Sequence, residues 1–278
     1  MTATKPNANT AAVFARNRAH GLIDLSVSAR GGRTRRRRVI EEGSLRVRLP
    51  DVFGPESEAV IINTAGGIAG GDDFTIAIDA GPGAQLAVIS AAAEKVYRAL
   101  DVASRMKVGL SVAAGAALRW LPQETILFDG ARLHRSIEVD VAKGGSLVMA
   151  ESTVFGRSAM NETMRCGELI DRWRIRQDGR LVFADTLRLG GDVAELLARP
   201  ASGGGATATA TIVIAPGDDT LAERARECLA ACRSEAGISA WNGIAVVRLC
   251  GTDAAHLRRD LVSVLNHVCG TLPRLWTN

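Results

Sequence analysis

The chain has 278 residues, 47% of them hydrophobic, and a formal net charge of +4. That length allows one large or two ordinary domains with a sizeable core, and no run of about 18 apolar residues offers a membrane span. Only 4% of the residues are aromatic and Tyr97 is the one tyrosine, which argues against a stacking platform for bases.

Residues 1–12 are polar and lack the apolar stretch of a secretory signal. The expectation is a cytoplasmic protein with reduced thiols and a disordered segment over residues 1–17. Cysteines at 166, 228, 232, 250 and 269 form no CxxC pair. This is neither a disulfide framework nor a structural zinc site. Much of the positive charge comes from Arg30, Arg33, Arg35, Arg36, Arg37 and Arg38. A solvated strand or loop is the plain reading of that cluster. The alternative is a basic binding module for nucleic acid, but no aromatic residues or known nucleic-acid motif accompany it.

In chain order, residues 59–62 form the first clear strand. They run into Thr64-Ala-Gly-Gly-Ile-Ala-Gly-Gly-Asp-Asp73. A loop of this kind invites the reading of a phosphate cradle in a nucleotide-binding enzyme. The loop leads into another strand, however, with Phe74, Ile76 and Ile78 at a period of two. A strand–loop–strand element has no helix N-terminus to hold a phosphate. Gly66, Gly67, Gly70 and Gly71 are therefore read as a structural loop that lets backbone approach closely. Asp72 and Asp73 point to opposite faces, so at most one joins a common site. The simpler role for both is to satisfy donors of the turn.

The middle of the chain repeats. Gly83-Ala-Gln-Leu86, Gly115-Ala-Ala-Leu118 and Gly144-Gly-Ser-Leu147 place their leucines 32 and 29 residues apart. Each follows an alternating strand (Phe74/Ile76/Ile78, Val108/Leu110/Val112, Ile137/Val139/Val141) and opens a second apolar run. The unit is strand, glycine turn, strand, polar segment. Such a period implies stacked units that bury one another's faces. The expected fold is mainly β, with stacked, β-helix-like sheet layers. The polar segments carry Glu94, Lys95, Tyr97 and Arg98, then Gln123, Glu124 and Asp129, then Glu151, Arg157 and Glu162. Stacking would gather their charges along one side or along an internal passage.

Further strands are expected at 173–176, 179–183 and 206–215. The tail changes period. Leu221, Ala225, Cys228, Leu229 and Cys232 mark one amphipathic helix, with Thr220 and Glu223 as a capping box. Leu257, Leu261, Val264, Leu265 and Val268 mark a second, with Thr252 as its cap. Residues 241–250 read as a strand between them. The chain is thus read as a single domain, 1–278. A β body spans about 18–215, and a helix–strand–helix tail over about 216–278 packs on it. Cys228 and Cys232 lie on the apolar stripe and read as buried thiols rather than a metal pair. His256, Asp260 and His267 read as the solvated face of the second helix. Glu94 and Lys95 are either an acid–base pair or a surface ion pair. No nucleophile constellation supports an enzyme.

The sequence resembles the urease accessory protein UreD family, also called UreH. The resemblance rests on Arg18-Ala-His-Gly21, Gly31-Gly-Arg-Thr34, Gly43-Ser-Leu-Arg-Val-Arg-Leu-Pro50 and the Thr64–Asp72 loop. It continues in Glu94-Lys-Val-Tyr-Arg98, Leu121-Pro-Gln-Glu-Thr-Ile-Leu-Phe-Asp-Gly-Ala131, Phe155-Gly-Arg-Ser-Ala-Met-Asn-Glu162 and Pro273-Arg-Leu-Trp276. Asn161 departs from the family's usual glycine. The resemblance implies a non-enzymatic maturation factor that joins UreF and the GTPase UreG, docks on the urease apoprotein and helps deliver nickel. It also implies an internal passage for the ion. Residues expected along it are Asp72 and Glu162, then Glu94, Glu124 and Asp129. Lys95, Tyr97, Arg98 and Trp276 are expected to form walls or meet partners. Oxygen ligands held singly suit an ion in transit, whereas thiolate clusters would trap it. No tightly bound cofactor, no nucleic acid and no membrane are expected.

Overall fold

A computed structural model describes residues 18–51 and 56–277. The expectation of disorder over 1–17 lies outside the described residues.

The chain opens with a hairpin of β1 (His20–Arg30) and β2 (Arg33–Gly43), then β3 (Leu45–Arg48) and β4 (Ser57–Asn63). Three coils come next. The first is β5 (Asp73–Ala80), β6 (Gln85–Ser90) and β7 (Glu94–Val96); the second is β8 (Ser104–Val112), β9 (Ala117–Leu121) and β10 (Thr125–Leu127). In the third, β11 (Arg132–Val141) leads to the long β12 (Ser146–Phe155). A hairpin of β13 (Cys166–Gln177) and β14 (Arg180–Asp192) precedes a short helix α1 (Val193–Ala198) and β15 (Ala208–Ala215). The tail is α2 (Asp219–Ala230), β16 (Glu235–Trp241), β17 (Ile244–Gly251) and α3 (Ala254–Cys269).

The strands form two sheets. One has the order β14-β13-β11-β8-β5-β1-β2, and the other runs β16-β17-β15-β12-β9-β6-β4-β3. The coils make the central strands of both sheets parallel, and the repeated residues stack in register. Leu86 pairs with Leu118 and Leu118 with Leu147. In the other sheet Ile23, Ile76, Val108, Ile137 and Trp173 form one continuous row. A third, shorter stack closes the side, where Val96 pairs with Leu127 and Leu127 with Phe155. The turns between the sheets use Gly83, Gly115 and Gly144 at φ of 68°, 69° and 79°, a left-handed conformation that costs glycine least.

Burial explains the two kinds of strand pattern. β5, β8 and β11 alternate because one face is the core and the other is solvent. β6, β15 and β17 are buried on both faces, so they read as continuous apolar runs. One core fills the space between the sheets. A second lies between the outer face of the second sheet and the helices, and it includes Ile89, Leu121, Ile212, Val247, Leu261 and Trp276.

The tail differs in detail from its sequence reading. Residues 241–250 are not one strand, because Asn242 and Gly243 turn the chain at φ of 50° and 78°. Asn-Gly is a strong hairpin signal, and it makes β16 and β17 an antiparallel pair. The helix caps are Asp218 and Asp253, whose carboxylates accept the N–H groups of Leu221 and His256 at 2.8 Å, rather than Thr220 and Thr252. Asp260 is not on a solvated face. It is buried and accepts the backbone N–H groups of Arg233 and Ser234 at 3.0 and 2.8 Å. Cys232 is half-buried, and burial with Asp260 nearby pushes its thiol up to about 11. Among the described residues, no helix is long and apolar enough to cross a membrane.

Candidate functional site

The Gly-rich loop docks against β7. Ile68 bridges Val96, its N–H donating to Lys95 O at 2.7 Å while the N–H of Tyr97 donates back to Ile68 O at 2.8 Å. Tyr97 closes the contact by donating its hydroxyl to Gly66 O at 2.8 Å. Gly67 sits at φ 148°, where a Cβ would meet the Tyr97 ring at 2.5 Å and Lys95 O at 2.8 Å. Gly70 is equally tight against Ala99 and Val102, at 2.7 Å, while Gly66 and Gly71 have positive φ of 78° and 88°. The loop therefore extends the third stack rather than cradling a ligand.

Asp72 is the staple of that loop. It is buried, and its two oxygens accept the N–H groups of Ala19 at 2.9 Å and Ala69 at 2.7 Å. Asp73 faces the other way and pairs with Arg105 at 3.1 Å. Asp72→Ala is expected to lower stability by about 1–3 kcal/mol, because two part-buried backbone donors lose their acceptor. The loss is read from the urea midpoint; a variant as stable as the parent would remove the staple.

A cleft of about 850 Å³ lies beyond β7 and is lined by Tyr97, Arg98, Phe128, Asp129, Arg157, Glu162 and Arg165 with residues 161 and 163. The polar segments of all three coils supply it, so four of the residues singled out in sequence meet here: Tyr97, Arg98, Asp129 and Glu162. Tyr97 stands edge-on to Phe128, with ring centres 5.1 Å apart. The Arg157 guanidinium lies 4.1 Å over the same Phe128 ring, a cation–π contact. Arg157 also grips Glu162 with two hydrogen bonds of 2.7 and 2.8 Å, and this grip holds the Glu162 carboxyl below its ordinary range.

Asp129 is buried in the wall. Its Oδ1 accepts the N–H groups of Arg165 and Cys166 at 2.9 and 3.1 Å, and its Oδ2 meets the guanidinium groups of Arg165 and Arg98 at 2.9 and 3.3 Å. Burial opposes its charge, but the Cys166 N–H and Arg165 outweigh burial and hold the carboxyl below its usual range. The cleft thus carries two ionised carboxylates, and the counterions of Asp129 are exposed arginines, Arg98 at 63% and Arg165 at 77%. Asn161 fits where the family's glycine stands, because its φ of 53° and ψ of 30° lie in the left-handed region that asparagine tolerates. Arg157 is placed beside Glu162 by its own segment, whereas Arg165 and Phe128 join the site only because the stacking of coils brings them to it.

The remaining sequence candidates lie elsewhere. Lys95 is exposed on β7. Glu94 is half-buried beside Asn63, which donates to it at 3.1 Å, and burial pushes its carboxyl up to about 7. A carboxyl raised in the folded state costs stability as pH rises from its ordinary value of 4.5 through about 7. Glu94→Gln is therefore expected to match the parent at about pH 4.5 and to exceed it by about 1–2 kcal/mol at about pH 8, after allowing for its partial exposure. Melting curves at the two pH values check the sign; a variant less stable at about pH 8 would refute it.

Glu124 pairs with Arg258 of α3 at 2.9 Å, on the wall of a separate apolar groove of about 420 Å³. Trp276 is buried, and its indole N–H donates to Leu121 O at 2.8 Å. It anchors the tail to β9 instead of standing at the surface.

A second polar feature lies between the sheets. Arg135 of β11 forks onto Asp171 of β13 at 2.9 and 2.5 Å and reaches Glu151 of β12 at 2.5 Å. The Trp120 indole donates to the other Glu151 oxygen at 2.8 Å. Burial raises the Glu151 carboxyl even though Arg135 opposes the shift. The sequence carried a signal for this network. Arg135 shares inward parity with Leu133 and Ile137, and Asp171 shares it with Leu169 and Trp173.

Comparison with known proteins agrees with the motifs. The model of the UreD urease accessory protein family matches residues 19–277. A urease accessory protein UreD from Rhodopseudomonas palustris (strain BisA53) is 54% identical over 267 residues, which cover 96% of this chain and 93% of the relative. Urease accessory protein UreD 3 from Bradyrhizobium sp. (strain BTAi1 / ATCC BAA-1182) is 52% identical over 274 residues, covering 98% and 99%. Urease accessory protein UreD from Bradyrhizobium diazoefficiens is 51% identical over 269 residues, covering 97% and 98%. With its stacked coils, its Gly-rich loop and these relatives along nearly its whole length, the chain belongs to the UreD family of urease accessory proteins.

Proposed function

We propose that this chain is a non-catalytic scaffold that associates with UreF and UreG, docks on the urease apoprotein in the cytoplasm and hands nickel toward its active site. The observation that carries the reading is the cleft in which Asp129 and Glu162 are both held ionised by arginines. Nickel(II) accepts carboxylate oxygen. A carboxylate that must leave an arginine to meet the ion holds it weakly, which suits passage over storage. Glu162 is the better placed of the two, because Arg157 is its clamp and both side chains reach solvent. Asp129 is tied to two backbone N–H groups and keeps the wall in shape. Tyr97 and Arg98 form the rim, where a partner is met. Asp72, Glu94 and Glu124 act outside the cleft, as a loop staple, a titrating wall group and a link to α3.

Glu162→Gln removes the charge and keeps the size. Nickel-dependent activation of apo-urease is expected to fall roughly ten-fold, while co-purification with UreF and UreG is unchanged. Full activation by the variant would eliminate the cleft as a station on the nickel route and leave the scaffold role standing.

A further inference from the structure

Six exposed arginines of this chain stand on one hairpin whose outer edge the fold leaves unpaired. β1 and β2 meet at Arg30-Gly31-Gly32-Arg33, and β2 is the outer strand of its sheet. Arg30, Arg33, Arg35, Arg36, Arg37 and Arg38 are all exposed. Arg38 reaches Asp24 at 2.7 Å. Arg30, Arg33, Arg35, Arg36 and Arg37 make no ion pair among the described residues. Some arginines on other strands do, as in Arg105 with Asp73 and Arg248 with Asp185, whereas Arg180 and Arg188 of β14, the opposite edge, stand without an ion pair among the described residues but apart from one another. Residues 20–43 hold six arginines against Asp24, Glu41 and Glu42, a net charge of +3 in a chain of +4.

The same strand has an open edge. Among the described residues, no backbone-to-backbone hydrogen bond outside the β1 ladder reaches residues 35–40. The register shifts between Ser26 and Val27, which leaves Arg37 as an extra residue in β2. Beyond the arginines, Ile40 is 41% exposed. Charge and a bulge keep unselected apolar strands off a sheet edge. They do not repel an acidic strand, which turns the barrier into a selection.

We infer that the β1–β2 hairpin is a docking surface for an acidic, extended segment of a protein partner. Six residues of β2 span about 17–20 Å at the rise of a strand. The matching segment therefore has about six residues with Asp or Glu at alternate positions, and an apolar residue beside Ile40. Guanidinium groups match carboxylates with paired hydrogen bonds. A polypeptide can also use the free N–H and C=O groups of the edge, which a nucleic acid cannot pair in a ladder. The hairpin shares no residue with the cleft, so either can fail without the other.

The test uses the full chain and a fluorescent (Glu-Thr)6 peptide, with a 12-nucleotide single strand and phosphatidylserine-containing vesicles as competitors. The peptide is expected to bind at low salt and to weaken steeply as salt rises. Arg35→Glu/Arg36→Glu/Arg37→Glu is expected to weaken it at least about ten-fold, while the corresponding triple lysine variant keeps most of the affinity. Amides of residues 35–40 are expected to gain protection from hydrogen exchange in the complex. Equal binding by the reversed variant, or no binding at low salt, would overturn the inference. Tighter binding of the oligonucleotide or the vesicles than of the peptide would also overturn it, in favour of a phosphate-reading surface. If the reversed variant unfolds, the lysine variant and the salt series still decide, since a site that ignores salt is not this one.

Discussion

Arg135→Met is expected to cost about 3–5 kcal/mol of stability. The Arg135 and Glu151 side chains are each 4% exposed and Asp171 is 7% exposed. Removing the guanidinium leaves two carboxylates between the sheets with one indole N–H for company. The loss should shrink as pH falls, because the buried Glu151 carboxyl, raised by burial, takes up a proton and becomes neutral in place. Glu151 already lies above its ordinary value with Arg135 present. A folded-state value above the unfolded one means stability that is kept at low pH and lost as pH rises. Replacing all three residues by apolar ones of similar size is expected to recover most of the loss, since an ion network in a core mainly compensates its own desolvation. Urea midpoints at about pH 5 and pH 8 measure both effects. A single variant within about 1 kcal/mol of the parent would mean that water reaches the network.

Trp276→Ala is the second large effect, expected at about 3–5 kcal/mol. The indole is 2% exposed in the core beneath the helices. It donates to Leu121 O at 2.8 Å, and the Arg258 guanidinium lies 4.9 Å over its ring. Arg258 in turn holds Glu124 at 2.9 Å, so one residue ties the chain end, α3 and the second coil together. Trp276→Phe separates the two contributions. It keeps much of the volume but leaves a buried carbonyl unpaired, so about 1–3 kcal/mol is expected. If phenylalanine costs as much as alanine, the hydrogen bond rather than the packing holds the tail.

The stacked fold was legible because the repeat is physical. Leu86, Leu118 and Leu147 recur in sequence since they occupy one row, and alternation in β5, β8 and β11 records a sheet with one wet face. The β1–β2 hairpin was less legible, since six arginines flatten the period that an edge strand would otherwise show. The β16–β17 turn was readable at Asn242-Gly243, but a continuous apolar run over 244–247 draws the eye past it. The cleft was half legible. Tyr97, Arg98, Asp129 and Glu162 lie in polar segments that stacking must gather. Arg157 shares a segment with Glu162, but Arg165 becomes a neighbour of Asp129, and Phe128 of Arg157, only through register, which spacing alone does not reveal. Asp72 shows the reverse: the plain turn reading describes its bonds, and the conspicuous sequence around it reflects backbone geometry.

In the proposed role, nickel reaches urease through this chain and its partners. Apo-urease, UreF, UreG, GTP and nickel, mixed with and without the full chain, test it most directly through urease activity and metal content of the re-isolated enzyme. Activity and nickel are both expected only when the chain is present, and Glu162→Gln is expected to lower both without dispersing the complex. Urease that acquires nickel and activity to the same extent in the absence of the chain would contradict it.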